Sequence, residues 1–158
     1  MKAPTHYPEP QDFAAAIAQP FGSETCNRIT EPFGIGWSDA IKLDRYLEIY
    51  NIDSAVLGFG LTLKDRGMVW EDGPTNSGTF LLTNCAFWGH ETGQGTYGGP
   101  LWQGLRFSDT IAEAVGKLGA PTRVGRLDIH HWELPEFKLT IHWTSGNRIR
   151  VISYWMKE

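Results

Sequence analysis

The chain has 158 residues, of which 41% are hydrophobic and 20% charged, and its formal net charge is −4. That much apolar side chain supports one folded domain, or two tightly packed half-domains, and excludes a disordered chain. The acidic balance disfavours a nucleic-acid binder, and no apolar run approaches the roughly 18 residues of a membrane-spanning helix.

The first ten residues, MKAPTHYPEP, are polar and proline-rich and lack the apolar stretch of a signal peptide, so a cytoplasmic protein is expected. Residues 8–20 predict a short helix, favoured by four alanines and stopped by Pro20. A second helix is predicted over 23–30, and Ser38 or Asp39 is placed to cap a third element running to about Tyr46. Alternation at Leu57, Phe59, Leu61 and Leu63 reads as a strand. The stretch KDRG then turns the chain, and Met68-Val69-Trp70 is read as the start of a returning strand, before the polar loop EDGPTNSG. A strand over 79–88 leads into the glycine-rich loop 91–100.

The last third has the clearest punctuation. Residues 108–120 predict an amphipathic helix with Ser108 or Asp109 at its start and a Thr110/Glu113 capping box. Ile111, Val115 and Leu118 share a face, while Gly119 and Pro121 end the helix. Strands are predicted over 128–134, 136–144 and 148–156, the last two joined by a tight turn at Ser145-Gly146-Asn147. The fold class is therefore α+β: an antiparallel sheet packed with a few helices. Because both halves place helix before strands, two similar halves are compatible with the order.

The chemistry-bearing patterns mostly fail on context. Gly93, Gly95 and Gly98 spell the dinucleotide-binding G-x-G-x-x-G, but Gly99-Pro100 follow and no helix opens there, so the loop reads as a strand-to-strand connection. His130 and His131 are neighbours on a strand and point to opposite faces, and His142 shares the polar Lys138-Thr140 face of the next strand. His90-Glu91 begins like a zinc-protease motif, but Gln94 stands where its second histidine belongs. Cys26 and Cys85 are far apart and read as two reduced, buried thiols. No nucleophile motif is present. Of the seven tryptophans, Trp132 and Trp143 sit where alternation predicts burial.

Charge is unevenly spread. Residues 1–100 carry 6 basic and 12 acidic side chains, a net −6, and residues 101–158 carry 8 and 6, a net +2. The acidic part suits a cationic protein partner.

The segment from Gly98 to Trp155 resembles the bacterial immunity proteins of polymorphic-toxin systems, such as type VI and contact-dependent ones. The likeness is carried by Tyr97-Gly98-Gly99, Gly104-Leu105, Phe107-Ser108, the helix end from Val115 to Pro121, Trp132, the alternating strand 137–143 and Ile149-Arg150-Val151-Ile152. The chain departs from that pattern at Trp102, where proline is usual. The helix-then-meander block is also similar to small outer-membrane assembly lipoproteins and proteinaceous β-lactamase inhibitors. The resemblance implies a cytosolic immunity protein that binds a cognate toxin domain and occludes its active site. It implies no catalytic residue, metal, cofactor, nucleic-acid partner or membrane partner.

For the partner-binding patch, the expectation is Asp65, Trp70, Glu71, Asp72, Glu91 and Tyr97, acidic and aromatic residues of the first 100. Two other classes compete with this reading: a small hydrolase using Asp128, His130 or His90, and a general protein-binding scaffold.

Overall fold

The computed structural model describes residues 1–44, 48–69, 77–126 and 128–158. Its helices are α1 (Pro10–Ala16), α2 (Glu24–Thr30), α3 (Arg66–Val69) and α4 (Ile111–Leu118). Its strands are β1 (Ile41–Asp44), β2 (Ile49–Ser54), β3 (Phe59–Asp65), β4 (Phe80–Trp88), β5 (Arg123–Val124), β6 (Ile129–Glu133), β7 (Lys138–Trp143) and β8 (Ile149–Trp155). All eight strands form one antiparallel sheet in the order β1-β2-β3-β4-β8-β7-β6-β5. The α+β expectation therefore holds, and so does the antiparallel meander after α4.

The order contains two four-strand meanders. Each ends on the strand that meets the other: β4 and β8 run antiparallel, pairing Asn84 with Trp155 and Trp88 with Val151. Direct cross-strand partners share a sheet face, so the register separates the two faces. Leu61, Cys85, Tyr154, Leu139 and Trp132 form one continuous row. All five are at most 2% exposed. With Phe59, Phe87, Ile152 and Ile141 in the next row, they make the covered face. Helix α1 seats Phe13 edge-on against Phe87, with ring centroids 4.9 Å apart. Helix α4 buries Ala114 in the same apolar cluster.

Sequence logic explains the best-predicted element. At the start of α4, Thr110 Oγ1 accepts the Glu113 N–H at 3.1 Å, and Glu113 Oε1 accepts the Thr110 N–H at 3.3 Å. Asp109 does not cap the helix. Its carboxylate is buried and accepts the Lys117 ammonium at 2.8 Å and the Arg106 N–H at 2.9 Å.

Four expectations need correcting. The first helix stops at Ala16, because Ala18 takes a positive φ of 68°. From there the chain runs beside β4, with Ala18 N–H to the Leu82 carbonyl at 2.7 Å and Phe21 N–H to the Phe80 carbonyl at 2.7 Å. The third element is only a 3-10 turn, Trp37–Asp39, in which Asp39 accepts the Gly36 N–H at 2.9 Å; strand β1 follows it. Strand β2 was missed: its alternation is Tyr50 and Ile52 inward, Asn51 and Asp53 outward. Met68-Val69 end a short helix and do not begin a strand, and Trp70 lies outside the described residues. Among the described residues no helix is long and apolar enough to cross a membrane.

Candidate partner-binding face

Helices α1 and α4 cover one face of the sheet; among the described residues the other face is open except at its edge, where Met68 and Val69 of α3 line it. Across the open face the register places Asp53, Gly60, Ala86, Ser153, Thr140, His131 and Arg123 in one row. The neighbouring row holds Asn51, Thr62, Asn84, Trp155, Lys138 and Glu133. On the other side lie Trp88, Val151, His142 and Ile129. Small side chains in the middle row lower the floor between the two tryptophan-bearing rows. A Cβ added at Gly60 would strike the Asp53 carboxylate, its direct cross-strand partner, so glycine gives that side chain room on the face.

The result is a groove of about 900 Å³ on this face, lined among others by Thr62, Lys64, Thr83, Thr140, Lys138 and Trp155. Trp155 is 40% exposed, and its indole N–H donates to Thr140 Oγ1 at 3.0 Å. Lys138 Nζ lies 6.0 Å from the Trp155 ring centroid. His131 and His142 line the same groove. Both imidazoles titrate below the usual histidine range. Burial is the main cause in each; for His131, Arg123, Lys138 and His142 add to it while Glu133 opposes it, and for His142, Arg150 adds to it. With the imidazoles neutral, the positive charge at this end of the face comes from Arg123 and Lys138, opposed by Glu133.

Of the expected patch, Asp65 and Tyr97 are buried, Glu91 is exposed, and the other three residues lie outside the described ones. Asp65 is fully buried at the end of β3, where its carboxylate accepts the Gly67 N–H at 2.8 Å and the Ser77 hydroxyl at 3.1 Å. Tyr97 is 3% exposed and lies in the core among Phe13, Phe59, Phe87 and Tyr7. Burial pushes its phenol well above the ordinary value, and its hydroxyl has no hydrogen-bond partner among the described residues. Both side chains are therefore structural. Glu91 is exposed, at a positive φ of 57°. Trp70, Glu71 and Asp72 lie outside the described residues.

The glycine loop has a packing role. Gly95 N–H donates to the Ala55 carbonyl at 2.7 Å, and any Cβ at Gly95 would strike the Val56 carbonyl. Gly58 is equally crowded by the Thr96 and Tyr97 backbone. The glycines let the loop lie directly on the β2–β3 turn, and the next regular helix after it is α4.

The histidines separate as their strand positions predict. His130 is on the covered face, stacked on Trp132 at 6.0 Å, while His131 is on the open one. His90 Nε2 lies 3.0 Å from the Phe107 carbonyl. Among the described residues no three His, Cys, Asp or Glu side chains converge to hold a metal ion. Cys26 and Cys85 are both buried free thiols. Comparison of the chain with protein-family models, with curated proteins and with solved structures finds no match to any of them.

Proposed function

We propose that this protein is a cytosolic, non-catalytic binding protein of the immunity type, which docks a toxin domain on its open sheet face and blocks that domain's active site. The observation that supports this reading is the groove itself. Helices α1 and α4 pack on one side of the eight-stranded sheet, and the groove on the other, edged by Met68 and Val69 of α3, combines an exposed indole with lysines at its rim. Exposed tryptophan beside positive charge is the composition from which a few side chains supply most of a protein–protein affinity. The resemblance of residues 98–155 to immunity proteins supplies the kind of partner.

The test is co-expression with the product of the adjacent reading frame. That product alone should arrest growth, and this chain should bind it and restore growth. Trp155→Ala should weaken binding by about thirty-fold, a loss of roughly 2 kcal/mol. If the neighbour is harmless or unbound, the immunity reading falls. If it is bound but Trp155→Ala and Lys138→Glu leave the affinity unchanged, the open face is not the contact surface.

A further inference from the structure

The corner of the open face where β5, β6 and β7 meet contains an excess of hydrogen-bond donors. Arg123 stands opposite His131, with its Nη2 3.5 Å from His131 Nε2. A guanidinium can only donate, so a bond between them requires Nε2 as acceptor, with the neutral ring's proton on Nδ1. That Nδ1 is buried and has no hydrogen-bond partner among the described residues. Opposite His131 on β7 is Thr140, 3% exposed, whose Oγ1 already accepts from Trp155 and keeps its own O–H to donate. Lys138 and His142 flank Thr140 on the same face.

Two carboxylates border the corner: Glu133, across from Lys138, is exposed at the rim with its Oε2 4.0 Å from Lys157, and Glu158 lines the same groove. Among the described residues no carboxylate forms an ion pair with Arg123 or Lys138. Cations on a sheet face that no carboxylate pairs attract an anionic oxygen, because a charge-assisted bond is about twice as strong as a neutral one.

We propose that this corner is a carboxylate-binding subsite, formed by Arg123, His131, Lys138 and Thr140, that receives an Asp or Glu side chain from an acidic segment of a partner protein. The assignment rests on the reading of the open face as a docking surface. Charge selects protein over nucleic acid. A phosphodiester strand needs an extended basic track, whereas here the cluster is bounded by Glu133 and faces Asp53 at the far end of the same row, in a chain of net charge −4. An acidic side chain near His131 and a basic one near Asp53 would match the face from end to end.

Titration gives the subsite a signature. The groups facing His131 are Arg123 from β5, Lys138 and His142 from β7 and Glu133 from its own strand; His142 also feels Arg150, and Lys64, Lys157 and Glu158 line the same groove. Burial and the basic neighbours keep both rings neutral near pH 7. An incoming carboxylate opposes those effects and raises both values. Binding therefore takes up protons, and affinity rises as pH falls from about 7.5 to 6.

The experiment follows the imidazole NMR signals of His131 and His142 across about pH 5–8, with and without a short oligoglutamate peptide. Both midpoints should rise by about half a unit or more, His6 should not move, and Arg123→Gln with Lys138→Gln should abolish the rise. Unmoved midpoints, an equal shift at His6, or a response to oligothymidylate and not to oligoglutamate would each overturn the subsite. No cognate toxin is needed for this measurement. Its failure is therefore distinct from failure of the immunity reading, which is decided by growth rescue.

Discussion

Replacing Asp109 by alanine tests how the α4 side of the covering layer is held. The carboxylate is 3% exposed and accepts the Arg106 N–H at 2.9 Å and the Lys117 ammonium at 2.8 and 3.0 Å. The same ammonium donates to the Gly104 carbonyl at 2.9 Å, so one ion pair ties α4 to the 3-10 turn Trp102–Gly104 before it. Removing one member of a fully buried pair costs about 3–5 kcal/mol. Lys117 keeps 32% of its side chain exposed and turns to water when its partner goes, which lowers the expected loss to about 2–3 kcal/mol. For a chain of this length that is a fall in Tm of roughly 5–10 °C. Urea unfolding followed by tryptophan fluorescence should show a lower midpoint at unchanged slope. Asp109→Asn, which keeps an oxygen for the Arg106 N–H, should lose about half as much as the alanine variant. A loss below about 0.5 kcal/mol for Asp109→Ala, the range of an ordinary surface change, would refute the anchoring role.

Three further outcomes are expected. Tyr97→Phe removes a buried hydroxyl that has no partner, so stability should be unchanged or rise by up to about 1 kcal/mol; a loss larger than that would reveal a hydrogen bond. Burial pushes the Cys26 thiol up and the Cys85 thiol well up, so a disulfide reagent at about pH 8 should label neither quickly until denaturant is added. Rapid labelling of the native protein would contradict the burial. Because His131 and His142 have lowered folded-state values, the unfolded chain binds more protons at these sites below about pH 6.5. Their contribution is therefore present at pH 7.5 and lost as pH falls through that range, and His131→Asn/His142→Asn should flatten this part of the urea midpoint-versus-pH curve.

What the sequence made legible is what local chemistry determines. The Thr110/Glu113 box, the Gly119 stop and the alternation of Leu139, Ile141 and Trp143 each act within a few residues, and each is found in place. Strand β2 alternates too, but its outward Asn51 and Asp53 and its neighbour β1, with Ile41 and Leu43 exposed, dilute the apolar signal. Asp65 and Tyr97 drew notice as a charge and an aromatic in an acidic stretch. Burial decides their role, and it depends on partners far along the chain, such as Ser77 for one and Phe13 for the other. The groove is the least legible feature. Trp155, Thr140 and His131 meet only because β8, β7 and β6 are adjacent in a fixed register, and a shift of one residue would send all three to the covered face.

The antiparallel β4–β8 seam has a further consequence. Each meander lacks a neighbour on the strand where the other supplies one, so the molecule is in effect a dimer joined by its own polypeptide. The connection between Trp88 and α4 sets the effective concentration at which the halves meet. The seam pairs residues about seventy positions apart, such as Asn84 and Trp155, and this long closure makes it the slow step of sheet assembly. Two separately made halves, cut within residues 91–94, should then behave as an ordinary bimolecular complex, and dilution alone should take them apart.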